Sequence, residues 1–120
     1  MARVLLIDDD HDRTENLAEG LRAEGMEVTV VSSRHEVFKK LEMAPFDCAV
    51  VVVALPTGDR IELAGELRER YPSVCVVLAS GHRLAIKPTG FEHERVFRFI
   101  PNPEDGRSLG KALRSRLDAA

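Results

Sequence analysis

The sequence predicts an α/β protein built on a doubly wound parallel sheet, and three observations carry that reading. Short apolar runs alternate five times with stretches of helical character, with short connections between them. Two of the runs, residues 48–55 and 74–79, lack the polar alternation of a half-exposed strand. The first holds four consecutive valines, Val50 to Val53, and is too short to cross a membrane. Such runs suit strands covered by helices on both faces, as in a parallel sheet.

The elements follow in order. Val4 to Ile7 reads as the first strand, stopped by Asp8-Asp9-Asp10-His11-Asp12. The first helix runs from about Arg13 to Glu24, with Leu17 and Leu21 one turn apart and Thr14 and Ala18 beside them. Gly25 supplies its stop. Val28 to Val31 is the second strand. Ser33 and Glu36 have capping-box spacing and open the second helix, which turns Val37 and Leu41 inward and closes at Pro45. The valine run is the third strand, and Pro56, Gly58 and Asp59 turn the chain out of it. The third helix, from about Arg60 to Arg70, sets Ile61, Ala64 and Leu67 on one side and ends before Pro72.

Val74 to Ala79 is the fourth strand, ending at Ser80-Gly81-His82. The next segment is the least regular. Leu84-Ala85-Ile86 allows one helical turn before Lys87-Pro88-Thr89-Gly90 interrupts it. Val96 to Ile100 is the fifth strand, and Pro101-Asn102-Pro103 turns the chain. The last helix spans about Glu104 to Leu117, with Leu109, Leu113 and Leu117 in one stripe.

A chain of 120 residues, 44% apolar and 31% charged, suits one soluble domain over residues 1–120. A net charge of −3 disfavours nucleic acid and anionic membrane surfaces as partners. No apolar stretch approaches the ~20 residues of a membrane helix, and no signal peptide precedes the first strand. Cys48 and Cys75 lie in apolar runs without CxxC spacing and read as small buried hydrophobes in a reduced, cytoplasmic setting. His11, His35 and His93 share no short metal-ligand spacing, and His82 reads as a solvated loop residue. The chain stops just after its last helix, as a stand-alone module or a piece of a longer protein would.

Several residues then fall into one order and spacing: Asp8-Asp9, Phe46-Asp47, Pro56 with Asp59, Ser80-Gly81, Phe99 and Pro103. Through them the chain, from Arg3 to about Leu117, resembles the receiver domain of bacterial two-component response regulators. The resemblance implies a flavodoxin-like, CheY-like (βα)5 fold with strand order 2-1-3-4-5. It also implies a pocket where an aspartate ending the third strand takes a phosphoryl group from a histidine kinase. The acidic pair helps to bind magnesium there, while a fourth-strand hydroxyl and a fifth-strand lysine hold the phosphoryl group.

Counting back four from Pro56 puts Val52 at the acceptor position, and counting back one from Pro103 puts Asn102 at the lysine position. Valine has neither a nucleophile nor an oxygen for a metal. Asparagine keeps its hydrogen bonds but lacks the cation. The expectation is a pseudo-receiver, non-enzymatic, whose degenerate pocket comprises Asp8, Asp9, Val52, Ser80 and Asn102. It would have no cofactor beyond weak magnesium binding at Asp9. With the lysine gone, carboxylate pKa values in the acidic run are expected to rise. The resemblance also implies a cis Asn102–Pro103 bond.

Other readings stand beside these. The acidic run also serves as helix capping, and Ser80 as a residue bonded within its own loop. Phe99 is either a switch aromatic or a permanently packed one. Phe91, Phe97 and Phe99 crowd the irregular segment, where an apolar surface suits a protein partner. Contact with a signalling protein, or with a second copy, is expected through the face of the fourth helix, fifth strand and fifth helix, or through the first helix. Phe97, Phe99, Leu84 and Ile86, within or beside the segment 83–90, are its candidates. Arg107, Arg114 and Arg116 read as a solvated helix face. The competing functions are a receiver phosphorylated at Asp47 or Asp59, and a small metal-dependent phosphohydrolase using Asp8 as nucleophile, Asp10 as acid and Lys87. A flavodoxin-like nucleotide or flavin site fits poorly, because the first loop is acidic.

Overall fold

The computed structural model of the chain describes residues 2–8, 11–53, 58–80, 97–101 and 106–118. Five parallel strands form one sheet in the order β2-β1-β3-β4-β5. They are β1 (Arg3–Ile7), β2 (Glu27–Val31), β3 (Cys48–Val53), β4 (Cys75–Ser80) and β5 (Phe97–Pro101). The described helices are α1 (His11–Ala23), α2 (Arg34–Met43), α3 (Gly58–Arg70) and α4 (Gly106–Asp118), the last being the helix expected as the fifth. The expected helical turn at Leu84-Ala85-Ile86 lies outside the described residues, as does the Asn102–Pro103 bond.

Alternation along the strands sorts the core into two layers. Val4, Leu6, Cys48, Val50, Val52, Val77 and Ala79 face one side, where Leu17, Ala18 and Leu21 of α1 and Leu109 and Leu113 of α4 cover them. Leu5, Ile7, Ala49, Val51, Val76 and Leu78 face the other, under Val37, Phe38 and Leu41 of α2 and Leu63, Ala64 and Leu67 of α3. Apolar side chains on both faces of β3 are thus removed from water, each worth about 1.5–3 kcal/mol when fully buried. This is why the valine run shows no polar alternation.

Boundaries depart from the sequence expectations by a few residues. Helix α1 begins at His11 rather than Arg13, so Asp12 sits in its first turn, where a carboxylate suits the exposed N–H groups. Strand β3 ends at Val53 rather than Leu55, Ala54 and Leu55 lying outside the described residues. Strand β4 starts at Cys75 and takes in Ser80, which pairs with Val53 and Pro101. Pro101 ends β5 instead of opening the turn, a position open to proline because β5 is an edge strand.

Local signals account for the helix ends. Gly25 adopts φ +86°, the left-handed conformation that closes α1 and that glycine accepts without cost. At α2 the Ser33 side chain accepts from the Glu36 N–H, and Glu36 in turn accepts from the Ser32 N–H and the Ser32 and Ser33 hydroxyls. Where α4 crosses α1, a Cβ on Gly110 would come within 2.9 Å of Glu24 Cγ, so a glycine lets the helices close. Beside it Arg114 donates to Glu24 at 3.2 Å, which gives one arginine of the expected solvated face a partner.

The cap gives a measurable consequence. Hydrogen bonds from Ser32, and then Ser33, hold the Glu36 carboxyl below its ordinary 4.5. Folding therefore favours ionised Glu36. Its contribution is present above the unfolded pKa and is lost as pH falls through the lower folded value. Ser33→Ala is expected to cost about 1 kcal/mol in urea denaturation. In the same variant the NMR-detected Glu36 midpoint should move up toward 4.5.

Candidate functional site

In a parallel sheet every strand ends at the same edge, and ligands of open α/β sheets gather outside it. Strand β1 reaches this edge at Ile7, paired with Val51, and Asp8 follows. On β3 the last pairs are Val52 with Ala79 and Val53 with Ser80, and on β4 Ser80 pairs with Pro101. The backbone thus brings Asp8, Val52 and Ser80 to one edge on three adjacent strands. Asp9, Asn102 and the Ser80 side chain lie outside the described residues.

Asp8 is held by the ladder itself. Its N–H donates to the Val31 carbonyl at 3.1 Å, extending the β1–β2 pairing by one bond past the last apolar residue. At 3% exposure it is, with Thr14 of α1, one of two buried polar residues among those described. Alternation from Val4 and Leu6 carries Asp8 to the α1 side of the sheet, the side that Val52 also faces.

Val52 is 3% exposed and packs in the cluster with Leu6, Leu17 and Ala18. Its branched hydrocarbon fills the place where this edge meets α1. It supplies no lone pair for a hard cation and no nucleophile for a phosphoryl group. Among the described residues no three His, Cys, Asp or Glu side chains are grouped to hold a metal ion. Magnesium prefers several oxygens in near-octahedral array, and Val52 contributes none of them.

The alternative acceptors sit elsewhere. Asp47 precedes β3, at the opposite edge, about 20 Å from Val53 along the strand. Its carboxylate accepts from the Arg3 N–H at 2.8 Å, its own N–H donates to the Arg3 carbonyl at 2.9 Å, and its carbonyl accepts from the Cys75 N–H at 3.0 Å. It is a structural clasp between β1, β3 and β4. Asp59 falls in the first turn of α3, with its side chain outside the described residues. Of the candidate partner face, Phe97 and Phe99 lie on β5 opposite Val76 and Leu78, and their side chains are not among those described. Leu84, Ile86 and Asp10 also lie outside the described residues.

Residues 4–114 match the response regulator receiver domain family. The chain belongs to that family. Among curated relatives, the receiver protein CpdR of Brucella abortus is 26% identical over 120 residues, with both chains covered in full. A receiver protein of Anaeromyxobacter is 29% identical over 103 residues, which are 86% of this chain and 43% of that protein. The sensor protein TorS of Escherichia coli is 32% identical over 114 residues, and the match takes up 12% of it. A receiver domain from Methanospirillum hungatei superposes with a TM-score of 0.82 at 23% identity, covering 99% of this chain and 95% of that one. The receiver domain of the hybrid kinase CckA superposes with a TM-score of 0.73 at 24% identity, covering 97% and 99%. These likenesses establish the CheY-like fold.

One pair of residues escaped the sequence reading. Cys48 and Cys75 each open a strand and are direct partners across β3 and β4. Cys48 is fully buried, but Cys75 is half-buried. Aligning the two six-residue runs by their first residues would have revealed the pair, had the register been known.

If Val52 acts as core rather than as an unused acceptor, truncating it carries the cost of a core deletion. Val52→Ala is expected to lower unfolding stability by about 2 kcal/mol, read from urea denaturation with an unchanged m-value.

Proposed function

We propose that this protein is a pseudo-receiver, a signalling module that keeps the receiver fold and works by protein contact without phosphoryl transfer. The observation that carries the reading is Val52, buried at the edge where the family's acceptor aspartate would stand. Asn102, at the position of the family's lysine, removes the cation that would meet the phosphoryl group. Asp8 and Asp9 remain as vestiges of the acidic pair, with magnesium bound weakly at most. The helical turn expected at Leu84-Ala85-Ile86 would take the place of the remaining helix in the (βα)5 pattern. Binding without chemistry makes the protein a non-enzyme in the cytoplasm, regulated by its partner or its abundance.

The partner class follows from relatives. A receiver of similar fold, with a TM-score of 0.78 at 21% identity, was crystallised in complex with its histidine kinase. A kinase-like protein, or a second copy of this chain, is the corresponding partner here. The contact is assigned to the surface around Phe97, Phe99, Leu84 and Ile86. No helix among the described residues is long and apolar enough to cross a membrane, and the net charge gives no basis for binding nucleic acid.

Incubation with magnesium and acetyl phosphate, followed by intact mass, tests the reading. The natural chain is expected to keep its mass, while the double variant V52D/N102K, which restores both groups, gains one phosphoryl group. A phosphoryl gain on the natural chain would overturn the proposal.

A further inference from the structure

Cys48 and Cys75 are Cα partners on neighbouring parallel strands, which run about 4.8 Å apart. That spacing lies inside the range of roughly 4.4–6.8 Å usual for the Cα atoms of bridged cysteines. Both residues face the α1–α4 side of the sheet, Cys48 within that core cluster and Cys75 packed against it. Both sulfurs are thiols. We propose that Cys48 and Cys75 form a thiol–disulfide couple that is oxidised by exchange with a low-molecular-weight disulfide.

The two cysteines have different roles. Cys75, half-buried at the first residue of β4, is the more accessible of the two to an outside reagent. Its sulfur, ionised, attacks one sulfur of the external disulfide. That bond breaks, one external thiol leaves with the proton Cys75 gave up, and Cys75 carries the other half as a mixed disulfide. Cys48 is fully buried and inaccessible from outside, yet it lies next to the Cys75 sulfur. Its sulfur then attacks Cys75 Sγ and expels the second external thiol, which takes the Cys48 proton. Two protein thiols are oxidised and one external disulfide is reduced to two thiols.

Hydrogen bonding to Cys75, followed by burial, pushes the Cys48 thiol well above its ordinary range. Cys48 therefore stays protonated at neutral pH and is the slower, resolving sulfur. The bond would tie the start of β3 to the start of β4 and enclose α3 in a covalent loop. It lies at the rim opposite Asp8 and Val52, so it acts on the sheet and not on the acceptor edge.

The test treats the native full chain with oxidised glutathione, then alkylates remaining thiols and measures intact mass and a non-reducing peptide map. The expected product is lighter by two hydrogens, retains no glutathione, joins the Cys48 and Cys75 peptides, and reverts with dithiothreitol. Cys48→Ser should stop at a stable glutathione adduct on Cys75, and Cys75→Ser should remain unmodified while folded. A natural chain that keeps both thiols under these conditions, or that retains glutathione on Cys75, would overturn the couple. The peptide map of the natural chain decides the matter even if a serine variant fails to fold.

Discussion

The structure depends on β3 being hydrogen-bonded on both edges and covered on both faces. Strand β1 pairs with one side of it and β4 with the other, while α1 and α4 cover one face and α2 and α3 the other. A strand in that position has no room for an unpaired charge, and from Cys48 to Val52 its side chains are removed from water. The one point where it can carry chemistry is its carboxyl end, where the sheet opens toward the loops. Val52 occupies that point with hydrocarbon, which continues the core to the rim.

Around this strand the polar groups divide between the two edges. At the amino edge Asp47 clasps Arg3, and Arg3 also pairs with Glu27 at 3.3 Å and lies 5.4 Å from the Phe46 ring centroid. Those contacts tie β1, β2 and the entry to β3, and they explain an aspartate that is kept far from any chemistry. At the carboxyl edge Asp8 is held by its backbone bond to Val31. The outer layer is fixed in a different way. Arg34 and Arg70 both stack on Phe38, at 5.0 and 4.3 Å, and both pair with Glu66, joining α2 to α3.

Much of the fold was legible in the residues. Leu17 and Leu21, Val37 and Leu41, and Leu109 and Leu113 were separated by one helical turn and are buried as that spacing requires. Ser33, Glu36 and Gly25 announced helix ends through capping chemistry that is local in sequence. The receiver family was legible because its motifs mark strand ends, which a sequence displays directly. Register was not legible, since it depends on how far each strand slides against its neighbour. That is why the Cys48–Cys75 pair was missed and why Ser80 and Pro101 were placed one residue outside their strands. The candidate site was legible only as a set of positions. Val52 and Asn102 could be counted from the prolines, and burial of the valine run followed from its lack of polar alternation, but its packing with Leu17 and Ala18 emerged only with the packed sheet.

We propose that the carboxyl edge of this sheet has exchanged phosphoryl chemistry for core packing. Amide NMR spectra of the natural chain, recorded with magnesium and then with magnesium plus beryllofluoride, test it most directly. The signals of Asp8, Asp9, Val52, Ser80 and Asn102 are expected to stay in place when the phosphoryl mimic is added. Saturable shifts at those residues, spreading into β5 and α4, would contradict it and restore the chain to the phosphorylated receivers.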